Sequence, residues 1–255
     1  MTTTFVASNP LEQFQIVPLI SINFGAVDLS FTNSALFAIM ASTFFVLLAR
    51  LVFHTGNGSL VPSRWQTLLE NMYELVTAML SDNIGPRGQA FFPFVFSLFA
   101  FLLVVNLIGM VPYSFTITSH IIVTLMFSLM VYISVMTIMF REHGFHALSV
   151  LLPAGAPFAL YPLLIPIELM GNVMRIVSLS VRLFANMMSG HILLKVLLGF
   201  AWTMMMAGGV IFFLHLIPLG VVFVLLFLET AVAIIQAYVF ATLTCIYLNE
   251  ALNLH

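Results

Sequence analysis

Glu168, Arg175 and Arg182 stand seven residues apart in a stretch that is otherwise almost wholly apolar. Seven residues are nearly two helical turns, so on a helix the three share one face with roughly 20° of drift per step. Asn186 follows Arg182 by four and shares that face, and His191 lies further along it, somewhat rotated. No acid occurs between Glu168 and Glu229, so Arg182 has no counter-charge near it on its own helix. A charge at membrane depth costs at least about 2.5–3.5 kcal/mol. Arg182 must therefore face a partner, a polar cavity or water, which marks it as a functional position.

A second stripe lies near the C-terminus. Glu229 and Gln236 are also seven apart, Glu250 is fourteen beyond Gln236, and Tyr247 is three before Glu250. If the two helices run antiparallel, the stripes match in depth. The spacing then sets Arg182 against Gln236 near the middle and His191 against Glu229 on one side. It sets Glu168 and Arg175 against Glu250 and Tyr247 on the other. The chemistry this suggests is proton transfer: two groups of titratable residues at opposite depths, separated by a fixed positive charge.

Blander readings weigh against some of these residues. A Glu168–Arg175 pair can be structural glue, a single interior histidine is often only hydrogen-bonded, and Asn186 and Gln236 can serve to satisfy Arg182. His120 and His215 fall at span ends and read as interfacial. His143 and His146 lie in a loop without further ligands, so no metal site is expected. Cys245, the only cysteine, reads as an inert small hydrophobe. Ser178, Ser189, Gly190, Gly208 and Gly209 fit close helix packing, and Trp65 and Trp202 fit lipid-facing or interfacial positions.

These stripes need long helices in an apolar setting, and the composition supplies it. Of 255 residues, 62% are hydrophobic and 6% charged, against roughly 25% charged in a soluble domain. The expected fold class is an all-α polytopic membrane protein. It has about five membrane-crossing helices and one amphipathic surface helix. Net charge near zero leaves no nucleic-acid footprint. Residues 1–30 read as a segment outside the bilayer, and residues 31–255 as a single transmembrane helical domain with the polar stripes in 161–255.

Spans are expected at Phe31–Phe53, Phe91–Val111 and Ile121–Phe140, each long enough to cross. Ser63 to Asp82 instead carries Trp65, Leu68, Leu69, Met72, Tyr73, Val76, Met79 and Leu80 at helical spacing, with polar residues opposite. Pro62-Ser63 with Gln66 suggests a capping box, and Gly85-Pro86 a stop. Residues 141–160, with Pro153 and Pro157, read as a loop. Ile167–Phe200 can form one helix after Pro166, a turn is expected at 201–206, and Pro218 is a candidate bend in 202–250. A helix from 167 to 200 reaches roughly 50 Å, against a hydrocarbon core of about 30 Å, so strong tilting is expected.

No Lys or Arg precedes Arg50, which argues against an Arg-rich transit peptide or a typical signal peptide. Arg50, Arg64, Arg87 and Arg141 border loops that five crossings place on one side. The positive-inside rule makes that the matrix or cytoplasmic side. The N-terminus is then outside and the C-terminus inside.

The residues also resemble a family. Ser178-Leu-Ser-Val-Arg182-Leu-Phe-Ala-Asn186-Met-Met-Ser-Gly-His191 resembles the signature helix of subunit a of the F-type ATP synthase. Glu229-Thr-Ala-Val-Ala-Ile-Ile-Gln236-Ala-Tyr-Val-Phe resembles its last helix, and Asn106-Leu-Ile-Gly-Met-Val-Pro-Tyr113 the exit of its second span. The likeness covers roughly residues 60–255. The start at Leu11-Glu-Gln-Phe-Gln is similar to fungal mitochondrial members, which implies a short cleaved leader ending near Asn9. His191 and Glu229 stand in the mitochondrial arrangement, where bacterial members typically exchange acid and histidine.

The resemblance implies a non-catalytic stator subunit of the mitochondrial inner membrane. Its last two helices curve along a rotating ring of c-subunits. Expected partners are that ring, subunit b and the peripheral stalk, small accessory membrane subunits and a second ATP synthase in a dimer; no cofactor is expected. Combined with the stripes, it gives an intermembrane-space half-channel at His191, Glu229, Asn186 and Gln236. It also gives a matrix half-channel at Glu168, Arg175, Tyr247 and Glu250, with Arg182 as the barrier between them. Two other classes stay open: an autonomous ion-coupled transporter or channel, which predicts inverted repeats and broken helices, and a haem-bearing respiratory subunit, which predicts paired histidines on facing spans.

Overall fold

The computed structural model describes residues 12–24, 27–28, 30–56, 63–111, 114–144 and 161–253. The order is a short N-terminal segment followed by seven helices. The segment holds a 3-10 turn at Glu12–Phe14 and two nested antiparallel strand pairs. In these, β1 (Pro18–Ile20) meets β4 (Phe31–Thr32) and β2 (Asn23–Phe24) meets β3 (Val27–Asp28). The expectation for residues 1–30 named no strands. These pairs of two or three residues lie at the edge of an otherwise helical chain, and α1 (Asn33–Gly56) begins one residue after β4.

The helices that follow are α2 (Arg64–Asn83), α3 (Phe92–Gly109), α4 (Ile121–His143), α5 (Tyr161–Ala207), α6 (Gly209–Leu214) and α7 (Leu216–Leu252). Among the described residues five helical segments are long and apolar enough to cross a membrane: 33–52, 86–109, 121–143, 162–207 and 212–252. The chain is thus an all-α polytopic membrane protein, as composition required. The leader near Asn9, Pro62, Pro112 and Tyr113, and the loop prolines and His146 lie outside the described residues.

Helix α2 forms where the amphipathic pattern put it. Ser63 caps it, its hydroxyl accepting from Gln66 N at 3.3 Å. The Gln66 side chain does not return to Ser63; it donates to Glu70 Oε1 at 2.8 Å, so half of the capping box is built. The helix stops before Gly85, whose φ of 78° suits glycine. The buried stripe is narrower than the apolar one. Leu69, Val76, Met79 and Leu80 are buried, while Trp65, Leu68 and Tyr73 are exposed. The three are left for lipid or other chains.

The core is one cluster joining α2, α3, α4, α5 and α7, with Phe240, Leu102, Leu183 and Leu248 almost fully buried. Helix α7 is its axis and packs on α3, α4 and α5. Its buried face runs Ala233, Ala237, Ala241, Thr244, Cys245 and Ala251, small residues that let helices approach closely where lipid offers no hydrophobic drive between them. Asn106 of α3 donates to the Ala233 carbonyl at 3.3 Å, pinning α3 to α7. Buried Thr124 of α4 and Ser180 of α5 share a hydrogen bond of 3.1 Å.

The last two helices depart from their expected limits. Helix α5 begins at Tyr161 and runs through Pro166. Pro166 sits in the second turn, where one missing N–H is tolerated more readily than deeper in a helix. The turn expected at 201–206 is helical to Ala207. The break falls at Gly208 and Gly209, with φ of 70° and 62°. Those glycines supply a turn and meet nothing a Cβ would touch, so they are not packing residues. Pro218 lies in the first turn of α7, where a missing N–H leaves no hydrogen bond unmade. It follows the break at His215 and does not bend the helix. The 47 residues of α5 would span about 70 Å at 1.5 Å each, which enforces strong tilt in a core of about 30 Å.

Candidate functional site

Helices α5 and α7 pack together with their polar stripes along the seam. Three contacts define it. At one end His191 Nδ1 lies 3.6 Å from Glu229 Oε1. Next, Asn186 Nδ2 donates to Gln236 Oε1 at 2.9 Å. At the other end the Arg175 guanidinium pairs with Glu250 and lies 5.5 Å from the centre of the Tyr247 ring. The spacing argument placed His191 against Glu229 and Arg175 with Glu250 and Tyr247, and the structure brings both groups together.

Two expected contacts are replaced. Gln236 meets Asn186, not Arg182, and Glu168 reaches neither Glu250 nor Tyr247 among the described residues. The middle and inner contacts therefore sit one to two turns further along α5 than the matched fourteen-residue intervals implied. The contacts are sixteen positions apart along α5, from Arg175 to His191, but twenty-one apart along α7, from Glu229 to Glu250. The crossing of the helices and the long Arg175 side chain take up the difference.

Arg182 is exposed and, among the described residues, makes no ion pair or hydrogen bond. Val177 and Val181 beside it are exposed too, as are Leu228, Ile234, Ile235 and Tyr238 on α7. On its own face Arg182 is flanked by Ser178, Ala185 and Asn186, and a guanidinium at membrane depth calls for a partner, a polar cavity or water beside it. At 1.5 Å per residue Arg182 stands about 10 Å along α5 from Arg175 and about 14 Å from His191. It thus separates the two contact groups.

Glu229 is only 5% exposed. Glu229 lines a cavity of about 250 Å³ with Asn186, Ser189, Gly190 and Leu225, while its two carboxyl oxygens are buried and lack a hydrogen-bond partner among the described residues. At about 30 Å³ per water that volume holds several molecules. Gly190 is the residue that lets Glu229 in. A Cβ there would stand 2.7 Å from Glu229 Oε1 and 2.9 Å from its Cδ. The sequence grouped Gly190 with generic packing residues, and only the facing helix shows what it accommodates. Of the same group, Ser178 and Ser189 are exposed, while Ser180, which the pattern did not single out, is buried against Thr124.

Thr116 was also not legible as a site residue. It lies in the loop between α3 and α4, 4% exposed, and its Oγ1 is 3.1 Å from His191 Nε2. Nearby, His120 stacks on Phe115 at 5.2 Å, and burial lowers its pKa from the ordinary imidazole value. His215 is half-buried and bonded to the Phe212 carbonyl, which fits an interfacial role. Cys245 is buried.

Helix α5 is continuous through Arg182, unlike the broken midplane helices of autonomous transporters. The fold and seam define a multi-pass membrane protein with polar groups strung between its two longest helices. The family model described as ATP synthase A chain matches residues 35–249. ATP synthase subunit a of Chondrus crispus is 46% identical over 255 residues, covering all of both chains. That of Brassica napus is 48% identical over 260 aligned residues, again covering both fully. That of Mesorhizobium japonicum is 49% identical over 245 residues, 96% of each chain. The chain belongs to the ATP synthase A chain family. It is accordingly a proton-translocating component of the membrane sector of ATP synthase.

Proposed function

We propose that this chain provides two offset aqueous half-channels to a ring of carboxylate-bearing c-subunits in the mitochondrial inner membrane, with Arg182 as the barrier between them. One observation carries the reading. Two polar groups lie about 24 Å apart along α5, and the unpaired, exposed Arg182 stands between them.

The entry half-channel runs from the intermembrane space to the cavity at Glu229, with His191, Asn186 and Gln236 along it. The exit half-channel runs past Arg175, Tyr247 and Glu250 to the matrix, with Glu168 further along α5. Arg182 meets each deprotonated ring carboxylate as it arrives. At 4 Å and an effective dielectric of 20 the attraction is about 4 kcal/mol, a ceiling of roughly three pKa units. The carboxylate therefore gives up its proton beside the exit and regains one at the entry. The same charge repels a proton passing directly between the channels. The membrane potential contributes about 2.3 kcal/mol per charge per 100 mV. The chain forms no part of the nucleotide-hydrolysing machinery in this reading. Its N-terminus faces the intermembrane space and its C-terminus the matrix, following Arg50, Arg64, Arg87 and Arg141.

The test is Arg182→Ala and Arg182→Lys in membranes holding the whole complex, with ATP synthesis and passive proton leak followed together. Both variants are expected to lose synthesis, and Ala to leak. A buried Lys can shed its proton, whereas Arg cannot, so Lys is a poor substitute. Near-normal synthesis across a tight membrane would make Arg182 structural and the mechanism wrong.

A further inference from the structure

We propose that Thr116 is a positioning residue that holds His191 in one tautomer, with the hydrogen on Nε2 and Nδ1 bare toward Glu229. The inference rests on reading His191 and Glu229 as the entry path.

The argument starts from the hydroxyl. Thr116 Oγ1 has one hydrogen to give and lone pairs that accept. It donates to the Gly109 carbonyl at 3.3 Å, at the end of α3. We assign its one hydrogen to that bond, which leaves the hydroxyl to accept from His191 Nε2, 3.1 Å away. The Nε2–H tautomer follows, because the hydrogen bond made by one ring nitrogen decides the state of the other. Nδ1 then presents a lone pair to Glu229 Oε1 at 3.6 Å.

The surroundings hold the threonine still. A Cβ on Gly109 would lie 3.0 Å from Thr116 Cγ2 and 3.4 Å from its Oγ1, so glycine is what lets the hydroxyl approach the helix end. The Thr116 carbonyl accepts from Ser119 Oγ at 2.6 Å, closing the loop behind it. Gly109, Thr116, His191, Glu229 and Gly190 thus form one chain of contacts from the loop to the cavity.

The consequence is directional. A protonated Glu229 can pass its hydrogen to the Nδ1 lone pair, giving a carboxylate and an imidazolium that Thr116 still accepts from; the return step restores both. In the other tautomer Nδ1 already carries a hydrogen and cannot take one from Glu229. Glu229 is the titratable group set against the ring. Lys195 stands one turn further along α5, and His120 four residues beyond Thr116.

The experiment uses the whole complex in liposomes and records ATP-driven proton pumping against pH, per assembled complex, for Thr116→Val, Thr116→Ser and Glu229→Gln. Val keeps the shape of threonine without its hydroxyl. Thr116→Val is expected to pump about tenfold more slowly, the low end of what loss of a histidine's orienting partner costs at metal sites. Its pH profile should also change, because the ring then distributes between tautomers. Thr116→Ser should recover the parental rate within about twofold, together with the parental profile. A Thr116→Val profile that superimposes on the parent, or scales by one factor at every pH, overturns the inference. So does a serine variant no better than valine. Parental pumping by Glu229→Gln would instead remove the entry path itself, and the inference with it.

Discussion

Gly190→Ala puts one methyl group where the structure leaves no room for it. The new Cβ would lie 2.7 Å from Glu229 Oε1, 2.9 Å from Cδ and 3.1 Å from Cγ. Ordinary contacts between such atoms settle at ~3.5 Å, so the carboxyl group has to move by roughly 0.8 Å. It is the free end of a side chain and can move more cheaply than either helix backbone. The displacement carries it away from Gly190, which immediately precedes His191. Two effects on stability oppose each other. Alanine is favoured over glycine in a helix by about 1 kcal/mol, and overpacking costs about 1–3 kcal/mol. Assembly should therefore survive. Transfer geometry is less forgiving, since a misplacement of about 1 Å can cost ~100-fold in rate. The expected outcome is proton pumping reduced by about 10- to 100-fold per assembled complex, with Gly190→Ser at least as impaired. The assay compares ATP-driven acidification with the amount of complex resolved on native gels. Parental pumping by Gly190→Ala would refute the reasoning, because it would mean that Glu229 tolerates the shift or takes no part in transfer.

Two further outcomes test other parts of the structure. Thr124 lies 3.0 Å from the Ile121 carbonyl, to which it can donate, and 3.1 Å from the Ser180 hydroxyl; with the first bond made, Ser180 is the donor in the second. Thr124→Val strands the buried serine hydroxyl and should destabilise by about 1–2 kcal/mol. Ser180→Ala strands nothing and should cost about 0.6 kcal/mol, and the double variant should lie below their sum. Thermal dissociation of the solubilised complex measures all three, and strict additivity would deny the bond. Burial lowers the pKa of His120 in the folded loop, so opened chains take up the proton first. Loop stability is then full above the ordinary imidazole pKa of ~6.5 and declines as pH falls below it. Protection of the Thr116–Ser119 amides, read as exchange relative to the intrinsic rate at each pH, should fall between about pH 7 and pH 5 in the parent but not in His120→Phe; equal pH dependence in both would contradict the assignment.

The sequence by itself determined the membrane class, the first three spans, the amphipathic α2 and the two polar stripes. Each of these follows from local rules. Apolar runs of sufficient length have few alternatives to a spanning helix, and an arginine among them is too costly to be incidental. The seven-residue spacing placed Glu168, Arg175 and Arg182 on one face, whatever that face met. Family membership was legible from Ser178–His191 and Glu229–Phe240 for the same reason: the chemistry is concentrated in continuous helix.

What only the tertiary structure decided is which residue meets which across the seam. Stripes that repeat every seven residues can be matched at registers a turn apart with almost equal plausibility. The pattern therefore could not choose between Arg182 and Asn186 as the partner of Gln236. The crossing of α5 and α7 makes that choice, and it leaves Arg182 unpaired and facing outward. Nor could spacing find Thr116 or Gly190. One is a hydroxyl in a loop and the other lacks a side chain, and both draw their roles from a group on another element: His191 across a hydrogen bond, Glu229 across a gap that only a glycine leaves open.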